Sequence, residues 1–198
     1  MSGAAPIDLA ALSAAADAVF LRHRSREAGR FHGFVPADLR GAHDALALLR
    51  PRADSFVELG SGAGAITIVA DLLGYDACGI EIEPWLVDAA VELAEDFDSS
   101  AQFTCGSFLP RGFRTDEWLD ADFHVTYDGA SSAWDEAGLD LADFDLVYAF
   151  PWPGEERLFD ELLERYGRRG QLFLTYDAGE GFALRRNGER IALDRMRP

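Results

Sequence analysis

The sequence predicts an α/β fold built on a doubly wound, mostly parallel sheet, and two observations carry that prediction. Short apolar segments alternate along the chain with longer segments of helical periodicity, which is the pattern of parallel strands joined by crossover helices. Near the C-terminus, Asn187-Gly188 separates two β-prone runs and predicts an antiparallel hairpin. We therefore expect N-terminal helices, a mostly parallel central sheet and a C-terminal antiparallel hairpin.

Two helices are expected ahead of the sheet, over residues 7 to 28 and residues 38 to 50. Each has apolar residues on one side: Leu9, Leu12, Val19 and Phe20 in the first helix, and Leu39, Leu46 and Leu49 in the second. Neither helix is expected to belong to the nucleotide-binding unit described below.

Five parallel strands and three helices are expected after residue 50. The strands are expected at about residues 54–59, 76–81, 101–105, 144–149 and 171–176, and the helices at about 63–73, 84–97 and 155–167. This organisation predicts one domain over residues 1–198, with a helical cap at 1–50, a cofactor-binding core at 51–178 and a terminal hairpin at 179–198.

The segment from Thr115 to Asp143 is the least regular part of the chain, and it is acidic with no Lys or Arg. It is expected to be an insertion over the cofactor side of the sheet. A short helix beginning at Thr115 and an extra strand near Phe123 to Tyr127 are expected within it.

The segment FVELGSGAG, from Phe56 to Gly64, is the most informative stretch of the chain. An apolar strand runs into a glycine-rich turn, and a second apolar strand ends on Glu81, about 20 residues after Gly60. Glycine suits such a turn because the backbone folds sharply and then approaches a ligand with no Cβ in the way. A carboxylate at the tip of the second strand can accept hydrogen bonds from both ribose hydroxyls of a nucleoside. The spacing thus predicts a ribose-bearing cofactor.

The glycine-rich segment also carries a resemblance to a known family. Glu58, Gly60, Gly62 and Gly64 match the E/D-x-G-x-G-x-G motif of class I S-adenosylmethionine-dependent methyltransferases, and Glu81 matches that family's ribose-binding acid. The resemblance implies a Rossmann-like sheet, S-adenosyl-L-methionine as the cofactor and methyl transfer to an acceptor. It also implies that further residues lie against the cofactor, and these are Ser61, Ile82, Ser107, Phe108 and Phe150.

Two other functions stay open at this point. Gly60, Gly62 and Ala65 also satisfy the G-x-G-x-x-G/A dinucleotide fingerprint, which would make the chain a nicotinamide- or flavin-dependent oxidoreductase. Against this stands Glu58 inside the first strand, which the methyltransferase motif has and the dinucleotide fingerprint lacks. The other alternative is a non-catalytic protein that binds S-adenosylmethionine, because the motif after the fourth strand is altered and the C-terminal region is short.

The run DLVYAFPWPGEE, residues 145 to 156, contains the end of the fourth strand and the loop after it, and the acceptor site is expected in that loop, from Phe150 to Glu156, with the entry segment around Phe34 to Pro36. It resembles the Asn/Asp-Pro-Pro-aromatic segment of amine methyltransferases, but Phe150 replaces the polar first residue. The candidate catalytic residues are Trp152, Glu155 and Tyr176, since tryptophan can stack on a cationic or planar acceptor and the other two can handle a proton. The lead-in from Gly33 to Pro36 and the run from Pro84 to Leu86 resemble seven-strand protein-lysine methyltransferases, so an amine-bearing protein or small molecule is the expected acceptor.

The charge of the chain argues against nucleic acid as a partner. The net charge is −17, and between Ala53 and Glu156 only Arg111 and Arg114 are basic, against 23 acids. Nucleic-acid binding depends on clustered cations, whereas an acidic field attracts an amine-bearing partner. An acidic surface that serves solubility alone explains the same charge.

Hydropathy and cysteine content place the protein among soluble, cytoplasmic proteins. No apolar run approaches the ~18 residues of a membrane span. Cys78 and Cys105 lie in expected strands and are expected to be buried reduced thiols. No histidine pair has the spacing of metal ligands, so no metal site is expected.

Overall fold

A computed structural model describes residues 7–24, 38–113 and 132–193 of the chain. Six α-helices lie in these ranges: α1 (Leu9–Arg24), α2 (Leu39–Leu49), α3 (Ala65–Leu72), α4 (Pro84–Asp96), α5 (Ala133–Ala137) and α6 (Glu156–Tyr166). Seven strands accompany them: β1 (Ser55–Leu59), β2 (Asp76–Glu81), β3 (Gln102–Cys105), β4 (Leu146–Ala149), β5 (Leu172–Asp177), β6 (Gly181–Arg186) and β7 (Glu189–Ile191).

The seven strands form one sheet in the order β3-β2-β1-β4-β5-β6-β7. The first five are parallel, while β6 and β7 run antiparallel to their neighbours. The expected fold class is thus confirmed, including the antiparallel hairpin at Asn187-Gly188. The order reverses direction between β1 and β4, and open α/β sheets bind ligands at the carboxyl ends of the strands at such a reversal.

Two buried clusters cover the two faces of the sheet. One includes Phe56, Leu146 and Leu174, and it is closed by α1 to α4. The other includes Val57, Val147 and Phe173, and it is closed by α6 and the chain around α5. Adjacent residues in each strand belong to opposite clusters, because side chains alternate across a pleated sheet. The central strands are therefore apolar on both faces, as a covered parallel sheet requires.

The helix starts follow from local chemistry. Helix α3 begins two residues later than the periodicity predicts, because Gly64 precedes it with a left-handed φ of +79° that a helix cannot contain. Helix α4 starts at Pro84, whose missing N–H costs nothing in the first turn. Helix α2 is capped by Asp38, whose side chain accepts a hydrogen bond from the Gly41 N–H at 2.9 Å.

Helix α1 packs on the nucleotide-binding unit, although it precedes that unit in the sequence and is not part of it. It contacts α2, α3 and α4. Helix α2 is attached as well, since the Tyr75 hydroxyl donates to the Leu46 carbonyl at 2.8 Å. The apolar side predicted for both helices is the reason, because burying that side requires a partner surface.

Several predictions concern residues outside the described ranges. These are the lead-in from Gly33 to Pro36, the helix expected at Thr115 and the strand expected near Phe123 to Tyr127. Of the two thiols, Cys78 is buried and Cys105 is only half-buried, and both are free. None of the helices in the described ranges has the length and apolarity needed to cross a membrane.

Candidate active site

The glycine-rich turn lies at the carboxyl end of β1 and is fixed to β2. The N–H groups of Gly60 and Ser61 both donate to the Ile80 carbonyl at 2.9 Å. Gly60, Gly62 and Gly64 have φ angles of +79°, +54° and +79°, in the region that only glycine enters freely. Among the residues that the structure describes, no atom lies within 4 Å of the position that a Cβ on Gly60 would take. The turn therefore presents bare backbone to a ligand.

Glu81 ends β2 beside this turn. Its carboxylate accepts the Gly62 N–H at 2.8 Å and the Glu83 N–H at 3.0 Å, and the residue is 8% exposed. Burial raises the pKa of Glu81, while the hydrogen bonds from Glu83 and Gly62 act in the opposite direction. Each carboxylate oxygen has a further lone pair, so the group can accept from a ligand as well. The motif acid and the motif glycine are thus brought into direct contact.

Glu58 is a second buried carboxylate on this side of the sheet. One of its oxygens accepts the Thr67 N–H at 3.0 Å and the Thr67 hydroxyl at 2.5 Å. The residue is 5% exposed, and burial raises its pKa from 4.5 to about 8. Glu58 therefore ties β1 to the first turns of α3, directly behind the glycine turn.

Ser61 and Ile82 flank these two motifs. The Ser61 hydroxyl lies over β2, where a Cβ on Gly79 would come within 2.7 Å of it. It is buried and has no hydrogen-bond partner among the described residues. Ile82 is half-buried at the tip of β2. The serine side chain thus faces the sheet, and its backbone belongs to the turn.

The segment after β3 runs beside the end of β2, since the Gly106 N–H donates to the Glu81 carbonyl at 2.9 Å. The Ser107 hydroxyl accepts the Leu109 N–H at 3.1 Å. Phe108 stacks on Phe159 of α6 with ring centroids 5.5 Å apart. Phe108 is therefore part of the packing against the second cluster, while Ser107 stays close to the end of β2.

An aromatic group occupies the carboxyl ends of β4 and β5. Tyr176 contacts Phe150 edge-on at 5.0 Å and Phe182 at 4.7 Å between ring centroids. In the loop after β4, Trp152 is 38% exposed. Glu155 is buried and its carboxylate accepts the Trp152 N–H at 3.2 Å. The three candidate catalytic residues thus belong to one neighbourhood, in which Glu155 holds the loop and Trp152 faces solvent.

Sequence reasoning missed two features of this site. The first is Phe20 of α1, whose ring lies 3.4 Å from the position a Cβ on Gly62 would take, and which contacts Trp85 edge-on at 6.4 Å. The second is Tyr148 of β4, which pairs in register with Glu58. Its hydroxyl is buried without a hydrogen-bond partner in the described part of the chain. An amphipathic pattern gives no sign of which apolar residue will reach a neighbouring turn.

The fold described above is that of the class I methyltransferases. An RNA methyltransferase from Salinibacter ruber, solved in complex with S-adenosyl-L-homocysteine, matches with a TM-score of 0.51 and 20% identity over 72% of this chain and 78% of that chain. A Klebsiella pneumoniae protein that has been proposed to be an O-methyltransferase matches with a TM-score of 0.51 and 17% identity over 86% of this chain and 66% of that chain.

Curated relatives match over a shorter stretch. A human lysine N-methyltransferase of ATP synthase is 44% identical over 54 residues, which is 27% of this chain and 23% of that protein. The mouse adenine nucleotide translocase lysine N-methyltransferase is 43% identical over 58 residues, which is 29% of this chain and 25% of that protein. The matched stretch is thus about a quarter of each relative's length. No protein-family model matches the chain.

Proposed function

We propose that this protein is an S-adenosylmethionine-dependent methyltransferase that acts on an amine. One observation carries the proposal: the Glu81 carboxylate accepts the Gly62 N–H at 2.8 Å, which places the ribose-binding acid and the bare glycine turn at the same end of β1 and β2. The class I methyltransferase fold and the two lysine N-methyltransferases that match over a quarter of their length support it.

The residues of this site suit the cofactor. Glu81 is assigned to the ribose, because its carboxylate is fixed by two backbone N–H groups and has lone pairs to spare. The lack of a Cβ at Gly60 lets the ligand approach the backbone. Glu58 is assigned a supporting role behind the turn through its bonds to Thr67. Ser61, Ile82, Ser107, Phe108 and Phe150 remain assigned to the cofactor's surroundings on the resemblance alone.

When bound, S-adenosylmethionine supplies a methyl group on a sulfonium, and its S–CH3 bond breaks as the bond to the acceptor nitrogen forms. Such an in-line displacement asks the protein mainly for positioning and for exclusion of water. Trp152 is assigned to the acceptor, since an exposed indole attracts a cation or a planar amine. Tyr176 is assigned to the same end of the sheet because its ring contacts Phe150 at 5.0 Å, and Glu155 positions the loop.

An ammonium acceptor must lose a proton before it can attack. Glu156 and Asp177 are exposed carboxylates beside the loop after β4 and are available to take that proton. Two free cysteines agree with a reducing compartment, and we assign the protein to the cytoplasm on that basis.

Titration calorimetry tests the cofactor. S-adenosylhomocysteine should bind with a micromolar Kd, whereas NAD and FAD should not bind. Glu81→Ala should weaken that binding by roughly tenfold or more, because a hydrogen bond to a charged group contributes about 1.5 to 3 kcal/mol. Binding of NAD alone would replace the methyltransferase assignment with that of an oxidoreductase.

Incubation with S-adenosylmethionine labelled in its methyl group, together with a lysate of the source cell, tests the reaction. A methyltransferase labels an acceptor, and its nature separates a protein from a small amine. If the cofactor binds and nothing in the lysate is labelled, the non-catalytic alternative suggested by Phe150 and by the passage from β5 to β6 without a helix takes its place.

A further inference from the structure

A groove of about 220 Å³ continues from the acceptor end of the site described above and runs between α6 and the strands β5, β6 and β7. Its floor is the face of the sheet that carries Phe173, Thr175 and Ala183, and Pro151 and Phe159 form its wall. The register of β5 and β6 places these residues on one face, since Thr175 pairs with Ala183 and Phe173 pairs with Arg185.

The groove exists because the chain passes from β5 to β6 without a helix. Only residues 178 to 180 join the two strands, and Asp177 closes that turn by accepting the N–H groups of Gly179 and Glu180 at 2.7 Å. Helix α6 packs on β5 through Phe159, whose ring stacks on that of Phe173 with centroids 6.2 Å apart. In the described part of the chain, the neighbouring face of β5 and β6 is left open as a groove.

The charges along the groove are separated by position. Glu156, Asp177 and Glu180 line its end at the carboxyl edge of β5. Arg190 lines the opposite end together with Arg185, whose guanidinium is bound to Asp160 at 2.7 Å. Cationic groups are therefore attracted to the acidic end of the groove. The apolar stretch between the two ends can contact the rest of a molecule that carries such a group.

The acidic end adjoins the proposed acceptor site. Pro151 and Tyr176 line the groove, and both belong to the neighbourhood of Trp152 and Phe150. An amine delivered to that site can thus stay attached to a chain that continues down the groove. A free small amine would reach only the acidic end and would leave the apolar floor empty.

We propose that this groove binds an extended, basic segment of a protein acceptor, with the amine to be methylated at the acidic end. The proposal rests on the proposed methyltransferase function and narrows its acceptor to a protein. Charge complementarity selects this occupant over a second copy of the chain, since a chain of net charge −17 is repelled by three exposed acids at the mouth.

Two groove variants and one control test the proposal. Glu180→Lys reverses a charge at the acidic end, and Ala183→Phe fills the floor. Glu95→Lys makes the same charge change on α4, which packs on the other face of the sheet. The probe is a fluorescein-labelled twelve-residue peptide of glycine, alanine and lysine. A matched peptide carries acetyl-lysine in place of each lysine, and free butylamine serves as the small amine.

In the presence of saturating S-adenosylhomocysteine, the lysine peptide should bind the wild type at least about fivefold more tightly than either groove variant, and Glu95→Lys should match the wild type. The acetylated peptide should bind weakly to all four proteins. S-adenosylhomocysteine affinity should be the same in all four, because none of the substitutions touches the glycine turn or Glu81.

Equal peptide binding by the wild type and both groove variants overturns the proposal. So does butylamine methylation that exceeds peptide methylation and does not change in the groove variants. A dimer in gel filtration that Ala183→Phe dissociates would assign the groove to self-association instead. Failure of S-adenosylhomocysteine to bind the wild type is a separate result, and it removes the proposed function itself.

Discussion

The two buried carboxylates of the site, Glu81 and Glu58, differ in the groups that donate hydrogen bonds to them. Glu81 accepts two backbone N–H groups at the rim, while Glu58 accepts the N–H and the hydroxyl of Thr67 beneath the turn. Burial raises the pKa of both, and that of Glu58 reaches about 8. A carboxyl group with such a pKa is protonated over much of the neutral range.

The raised pKa of Glu58 predicts how stability depends on pH. Between pH 4.5 and about 8 the native state binds more protons than the unfolded chain, so the free energy of unfolding should fall as pH rises through this range. Glu58→Gln keeps an oxygen that can accept from Thr67 and removes the titration. The wild type should therefore lose a few kcal/mol relative to the variant between about pH 5 and pH 8. Urea unfolding of both proteins at several pH values measures this, and parallel curves would show that Glu58 titrates normally.

Two glycines with the same φ predict different defects. Gly60→Ala and Gly64→Ala share a backbone cost of about 1 kcal/mol. At Gly60 the new methyl group would meet no atom of the described residues within 4 Å, so the loss should appear in S-adenosylhomocysteine affinity, by about tenfold or more. At Gly64 it would come within 2.6 Å of the Phe103 ring and 2.9 Å of the Ala90 Cβ, so stability should fall by a further 1 to 3 kcal/mol, roughly.

Calorimetry and urea unfolding on both glycine variants separate the two effects. An unchanged affinity in Gly60→Ala would place the ligand elsewhere on the turn.

The spacing of the glycines predicts that all three adopt a backbone conformation that favours glycine, and the structure agrees. Which of them faces a ligand and which faces Phe103 depends on contacts between residues far apart in sequence, and no local pattern carries that information.

At the scale of elements, the loop after β4 joins the cofactor end of the sheet to α6. The N–H of Glu155 donates to the Trp152 carbonyl at 2.9 Å, and the Glu155 carboxylate accepts the Trp152 N–H. The backbone of the loop is thus held while the indole stays 38% exposed. An exposed tryptophan on a fixed backbone is suited to contact with a partner rather than to core packing.

Trp152→Ala should therefore reduce methyl transfer strongly and leave S-adenosylhomocysteine affinity within a few-fold. Stability should fall moderately as well, because the residue is only 38% exposed and the truncation removes the apolar contacts of its buried part. Leu139→Ala is the matched control, since Leu139 is 37% exposed and lies before β4, and it should leave both properties unchanged. Joint loss of cofactor binding and stability in Trp152→Ala would make the residue structural.

The five parallel strands and the helices α2, α3, α4 and α6 follow from the sequence to within about two residues, because each central strand is a short apolar run and each of these helices has an apolar side. Helix α5 was not predicted. The turn between β6 and β7 also follows, from Asn187-Gly188. The groove beside β5 and β6 does not. Its acidic end combines α6, β5 and the turn after β5, which come together only when the sheet forms.

At the scale of the whole molecule, the candidate site lies at the carboxyl ends of the parallel strands. A group of polar contacts around Asp145 joins the same strands at their amino ends. One Asp145 carboxylate oxygen accepts the N–H groups of Asp54 and Ser55 at 2.8 and 3.2 Å, and the other binds the Arg168 guanidinium. This links the start of β1, the start of β4 and the chain entering β5. Burial raises the pKa of Asp145, but the two N–H groups and Arg168 outweigh it and hold the pKa below 3.8.

Asp145→Ala should therefore destabilise the whole fold and spare the site. Losing these bonds should lower the free energy of unfolding by about 1 to 3 kcal/mol at neutral pH. Because a lowered native pKa contributes stability that is present above pH 3.8 and lost as pH falls, the gap between the wild type and the variant should narrow in acid. Asp145→Asn retains one acceptor oxygen, so its free energy of unfolding should lie between those of the wild type and Asp145→Ala.

The ligand completes the test of Asp145. The wild type and Asp145→Ala should gain the same stabilisation from S-adenosylhomocysteine, about 2.7 kcal/mol at a hundredfold excess over Kd. The reason is that the cofactor site is at the carboxyl ends of the strands and Asp145 is at their amino ends. Urea unfolding with and without S-adenosylhomocysteine measures both the loss of stability caused by Asp145→Ala and the stabilisation by the ligand. If S-adenosylhomocysteine stabilises Asp145→Ala less than the wild type, the contacts at the amino ends of the strands control the geometry of the glycine turn. The same contacts would then determine both fold stability and cofactor binding.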